Sequence, residues 1–248
     1  MEEIAKKKTN KPDNPLPLLD HLGELRRRML YSIIAVVIGS FAAYPAVDLV
    51  IADLARPIVL TPHAQLIFTG PLEAFWSRIK LTMFIGVLIS MPIVLFQVWS
   101  FIQQGLLPKE KRFVLSVTVV SFLLFILGAS FCYFFILPVG IKFLLAYGSE
   151  VLVPMITISR YLSFVFGLVF SFGIIFELPL VVGFLAKLGL LRSRTLCQQW
   201  RIAVVAIFIL AAVLTPGPDV FSQMLMAGPL LILYGMGILV AWLIERKK

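Results

Sequence analysis

Carboxylates set among cations, or inside apolar sequence, are the residues of this chain with chemistry to do. Glu24 lies in His21-Leu22-Gly23-Glu24-Leu25-Arg26-Arg27-Arg28, with Arg28 four residues further on. That spacing suits a local helix ion pair; an acid with a function, embedded among Arg26 and its neighbours, is the equal alternative. Glu110 repeats the arrangement in Leu107-Pro108-Lys109-Glu110-Lys111-Arg112, a short stretch that begins at Phe101. There it can serve a function, or simply open the next helix, where an acid suits the N-terminal end. Glu177 stands in Phe172-Gly173-Ile174-Ile175-Phe176-Glu177-Leu178-Pro179. A charged carboxylate inside a membrane helix costs roughly 2.5–3.5 kcal/mol, so it must face protein or water, or carry a proton. Pro179 leaves a backbone carbonyl unpaired nearby, and a functional role for Glu177 outweighs the alternative, an interhelical hydrogen bond that only holds the bundle together. Asp219, ending Thr215-Pro216-Gly217-Pro218-Asp219, is placed to cap the last helix. Gln223, one turn on, extends a polar strip along the same face. Pro57, beside Arg56, reads alone as a turn.

Other chemistry is missing. There is no Gly-rich phosphate loop ending in Lys-Ser/Thr. The two histidines, His21 and His63, fall on opposite sides of the membrane in the topology below, and no His, Cys and carboxylate cluster has metal-ligand spacing. Cys132 lies in an apolar block and Cys197 in a basic loop, which predicts two ordinary thiols. The expectation is a protein that is not an enzyme and that uses no cofactor and no metal.

The elements that position these residues are membrane helices. The 248 residues are 60% hydrophobic and 14% charged, with a mean hydropathy of +0.99. Soluble domains are about half apolar and a quarter charged. Apolar blocks occupy 29–50, 81–101, 113–138, 161–185, 202–214 and 220–244. A crossing needs about 20 residues, so the fifth is undersized, yet the Pro-Gly-Pro turn after it fits a hairpin between two membrane helices. The predicted fold is therefore an all-α integral membrane protein of six transmembrane helices with a short fifth. The net charge of +9 is carried at block edges rather than on a nucleic-acid face. With the N-terminus inside, only Arg56, Arg78, Lys80, Lys142 and Arg160 of the 22 Lys and Arg fall outside. The positive-inside rule thus places both termini in the cytoplasm. Residues 1–17 are expected to be a cytoplasmic tail without a secretory signal. Two long outer loops, 45–79 and 139–160, are expected, and stretches at 48–55 and 137–147 look amphipathic, suited to lie along the outer surface. The expected organisation is a cytoplasmic segment 1–28, a six-helix domain 29–244 and a cytoplasmic tail 245–248.

Taken in order, these stretches resemble the TatC family of twin-arginine translocase subunits. The resemblance rests on His21-Leu22-x-Glu24-Leu25-Arg26, Gln97-Val98-Trp99-x-Phe101-Ile102 ahead of Glu110, and Tyr161-Leu162-Ser163-Phe164. Phe176-Glu177-Leu178-Pro179 and Thr215-Pro216-x-Pro218-Asp219-Val220-Phe221-Ser222-Gln223 complete it. Gln103-Gln104 and Pro108 depart from the usual pattern. The resemblance implies a bacterial inner-membrane receptor for Arg-Arg signal peptides on folded cargo. It implies assembly with single-helix TatA and TatB partners, in a multimer, for export driven by the proton-motive force. Glu24, Arg26, Phe101 and Glu110 would form the receptor patch, and Glu177 would line the concave face of the helix array. Asp219 and Gln223 would meet partner helices, and Pro57 would shape the outer cap. Recognition through acids fits guanidinium chemistry, because a carboxylate accepts paired charge-assisted hydrogen bonds from arginine that lysine cannot reproduce. The competing reading is a secondary transporter or ion-coupled channel using Glu177. The absence of a polar partner for that acid on neighbouring blocks weighs against it.

Overall fold

A computed structural model describes residues 18–59, 65–104, 114–146, 155–214 and 220–246. The chain is built from helices whose apolar content leaves little alternative. α1, Leu18–Ala43, starts well before the apolar block at 29, so the Glu24 motif is helical rather than a lead-in. After a 3₁₀ turn at Tyr44–Ala46 comes α2, Val47–Val59. Val47, Leu54 and Ile58 are buried while Asp48, Leu49 and Arg56 are exposed, so the amphipathic reading of 48–55 is realised as a helix. Pro57 falls within this helix, not in a turn.

α3, Pro71–Gln104, has 34 residues and begins ahead of the predicted block at 81. The extension carries Glu73, Arg78 and Lys80, whose charges hide its helical nature from hydropathy alone. α4, Val114–Phe131, passes through a π-helical turn at Cys132–Ile136 directly into α5, Leu137–Ala146. The stretch from 137 therefore continues the third membrane helix instead of forming a separate surface segment. α6, Ile158–Ile175, and α7, Leu178–Lys187, are halves of one span, interrupted at Phe176 and Glu177. Pro179 explains the interruption: it has no N–H for the carbonyl of Ile175.

α7 ends with Gly189 at φ 78°. Gly189 N–H donates to the carbonyl of Ala186 and Leu190 N–H to that of Leu185, both at 3.0 Å, which forms a Schellman cap. The short α8, Ser193–Gln198, is held to α10, Val220–Arg246, at its first residue. Ser193 gives its N–H (2.6 Å) and hydroxyl (2.5 Å) to the Glu245 carboxylate. Tyr234 donates to the Leu196 carbonyl at 2.8 Å. α9, Trp200–Leu214, has 15 residues, about 22 Å of helix. Among the described residues, five helical stretches are long and apolar enough to cross a membrane, and α9 is the shorter apolar helix beside them, as expected for the fifth span.

Glycine sets the closest approach in the bundle. A Cβ on Gly39 of α1 would lie 2.7 Å from the Gly86 carbonyl oxygen of α3, and one on Gly86 would lie 2.2 Å from Ser40 Oγ. Small residues let membrane helices pack backbone to backbone in this way. The core proper is apolar, with Phe125, Leu137, Leu162 and Phe172 fully buried.

The segments between the first and second spans and between the third and fourth are stitched rather than loose. Strands β1, Gln65–Ile67, and β2, Met155–Thr157, pair in parallel, a contact no local pattern announces. Glu73 accepts from Thr69 N–H and hydroxyl at 2.6 Å and from Ser159 N–H at 3.3 Å. Arg78 pairs with Asp48, Tyr133 donates to Asp53, and Tyr161 donates to the Leu54 carbonyl at 2.7 Å.

Candidate functional site

Two polar groupings meet on α3, one on each side of it. At the first, α1 presents Glu24 and Arg28 one turn apart toward the C-terminal end of α3. Arg28 Nη2 lies 2.8 Å from Glu24 Oε1, and Arg28 Nη1 donates to Gln97 Oε1 at 3.1 Å. The side chains of Arg28 and Glu24 are 18% and 27% exposed. The local ion pair anticipated from the spacing is thus present, and it also ties α1 to α3. Arg26 is exposed. Arg27 turns the other way, its Nε donating to Tyr31 Oη at 3.0 Å with the guanidinium over the ring. Phe101 is half-buried on α3, four residues after Gln97 and hence on the same face. Glu110 lies outside the described residues.

The second grouping is inside the bundle. Trp99 Nε1 donates to Ser121 Oγ of α4 at 3.0 Å, and Ser121 donates to Glu177 Oε2 at 2.7 Å. Three spans are joined by two hydrogen bonds, with Trp99 held edge-on by Phe184 at 5.2 Å between centroids. Glu177 Oε1 is buried and has no hydrogen-bond partner among the described residues. The sequence reading that no neighbouring block offers Glu177 a polar partner is therefore corrected: Ser121 does, from the third span. One serine within an apolar block gives no sign of its role, since such a hydroxyl usually bonds its own helix backbone. The indole of Trp99 was equally unreadable as a polar group.

A third feature lies between α9 and α10. Gln223 is half-buried and donates through Nε2 to the Phe208 carbonyl at 3.0 Å. It borders an apolar groove of about 470 Å³ lined by Val204, Val205, Ile209, Ala212 and Val213. Ile202, Val205, Ile209 and Val213 of α9 are exposed, so much of this helix faces away from the bundle. Asp219 lies outside the described residues, and of Pro57 only the helical backbone is described.

Chemically, the first grouping offers a carboxylate already tuned to a guanidinium, and the second a buried acid anchored on one oxygen only. Comparison with known proteins gives these arrangements a context. The family model for the Sec-independent protein translocase protein (TatC) matches residues 20–229. The chain is 42% identical over 236 residues to the TatC protein of Carboxydothermus hydrogenoformans, covering 95% of this chain and 97% of that one. It is 40% identical to that of Aquifex aeolicus, covering 94% and 98%. A crystal structure described as the twin arginine translocase receptor TatC superposes with a TM-score of 0.80 at 39% identity, covering 91% of this chain and 99% of that one.

Proposed function

The chain belongs to the TatC family of Sec-independent protein translocase proteins, and from that premise we propose that it receives Arg-Arg signal peptides at the cytoplasmic end of α1. It is a multi-pass membrane subunit of a translocase. In the proposed mechanism Glu24 and Glu110 accept the two guanidinium groups, Arg26 sharpens the local field, and Phe101 packs against the signal's apolar side. The observation that carries this reading is the geometry of Glu24. Its carboxylate is oriented on a rigid helix, partly shielded from water, and in contact with a guanidinium. Charge-assisted hydrogen bonds from a guanidinium to a carboxylate are short and, in their paired form, selective for arginine over lysine.

In this reading both termini lie in the cytoplasm of a bacterial inner membrane. The α9–α10 groove with Asp219 and Gln223 takes single-helix partners of the TatA and TatB type, and several copies assemble. Glu177 lines the concave face, and Pro57 belongs to the outer cap. The protein acts by binding and assembly, without a catalytic step, and export draws on the proton-motive force. Short α9 thins the bilayer beside it, easing passage of folded cargo.

The test is photo-cross-linking from residues beside Glu24 and Glu110 to Arg-Arg and Lys-Lys peptides. Glu24→Ala and Glu110→Ala should each abolish cross-linking of the Arg-Arg peptide without loss of the protein from the membrane. Unchanged cross-linking in both variants rejects the assignment.

A further inference from the structure

The acid proposed to grip a signal arginine is already gripping one. Arg28 Nη2 sits on Glu24 Oε1 at 2.8 Å while Nη1 sits on Gln97 Oε1 at 3.1 Å. Of three consecutive arginines it alone is aimed at the acid: Arg26 is exposed, and Arg27 is committed to Tyr31. We propose that Arg28 is a resident competitor, an internal guanidinium that occupies Glu24 until an incoming arginine displaces it, so that it sets the affinity threshold for signal peptides. This rests on the receptor role of Glu24.

Three features make the arrangement displaceable rather than permanent. Arg28 offers Glu24 one nitrogen, Nη2, while Nη1 is turned to Gln97, which is less than the paired contact a guanidinium can make. Its Nε is buried with no hydrogen-bond partner among the described residues, so the resident geometry is incompletely satisfied. Gln97 holds the other amino group, so on leaving Glu24 the side chain stays anchored to α3 rather than being released into the bilayer edge. An incoming guanidinium gains both oxygens only after Arg28 has moved. A cation that binds beside Arg28 instead leaves two positive groups against one carboxylate. Each route weakens binding, and weak cationic sequences then fall below occupancy at cellular concentrations.

A partly exposed ion pair of this type is equivalent to about a fivefold factor in an equilibrium constant. The experiment uses the full chain in nanodiscs and a labelled Arg-Arg peptide, read by fluorescence anisotropy at about 0.15 M salt, where charges beyond about 8 Å are screened. Arg28→Gln should bind the peptide about fivefold more tightly than the parent. Arg27→Gln, which removes an equal charge that feels Glu24 but is fully exposed and forms no ion pair with it, should gain less than about twofold. Arg28→Lys, which keeps the charge but cannot bridge both partners, should gain about twofold and covers the case in which the Gln variant fails to fold. The proposal is overturned if Arg28→Gln binds no more tightly than Arg27→Gln, or if Arg28→Lys binds as weakly as the parent. Glu24→Gln is the separate check on the receptor role: it should abolish binding in both the parent and Arg28→Gln backgrounds. Retained binding in Glu24→Gln removes the receptor reading itself, whatever the Arg28 variants do.

Discussion

Ser121→Ala removes one hydroxyl and leaves two polar groups stranded. In the parent, that hydroxyl accepts from Trp99 Nε1 at 3.0 Å and donates to Glu177 Oε2 at 2.7 Å. Ser121 is fully buried, so water cannot simply take its place. Interhelical hydrogen bonds in membrane proteins are worth about 0.6 kcal/mol on average and up to about 1.7. Two of them give about 1–3 kcal/mol, the upper part of the range applying because Glu177 would then have neither oxygen bonded. Removing a hydroxyl alone creates little cavity, so packing adds only a small term. The measurement is reversible unfolding of the purified chain in mixed micelles, for Ser121→Ala, Trp99→Phe and the double variant. The pair should be non-additive by at least about 0.5 kcal/mol, because residues sharing a hydrogen bond couple. Strict additivity, or a Ser121→Ala variant as stable as the parent, would refute the linked network.

Other consequences can be checked alongside. Gly86→Leu forces a Cβ to within 2.5 Å of the Ser40 amide nitrogen; separation of α1 from α3 should cost more than about 3 kcal/mol, seen as loss of the folded fraction after detergent extraction. Tyr133→Phe deletes the hydroxyl that Asp53 accepts from; protease cleavage in the segment around α2 should quicken severalfold with little change in overall unfolding. Four leucines inserted within 202–214 bring α9 to full spanning length, and export in cells should fall if bilayer thinning matters. Normal export with the longer helix would dismiss thinning.

Much of the architecture was readable because hydropathy and charge act over long stretches. Six spans and the short fifth followed from block length, and they reappear as α1, α3, α4–α5, α6–α7, α9 and α10. What escaped were features fixed by contacts distant in sequence. The first turns of α3 carry Glu73, Arg78 and Lys80, which look like a loop until Arg78 is seen to pair with Asp48, Lys80 to donate to the Ser159 hydroxyl, and Glu73 to accept from the Ser159 N–H. The split at Glu177 was legible from Pro179, but its tie to Ser121 was not, since nothing local marks which of several buried serines faces another helix. The Glu24–Arg28 pair was visible as a spacing; Gln97, the third member, could be found only by packing α1 on α3.

The parallel strands carry a consequence for biogenesis. Glu73, just after β1, bonds Ser159, just after β2, and the two are 86 residues apart. At about 5–20 residues per second of synthesis, the first outer segment waits roughly 4–17 seconds for its mate. During that interval the edge of β1 has its backbone donors and acceptors open, a template for any passing extended chain. That edge gains its partner from this chain only when β2, at the start of the fourth span, has been made.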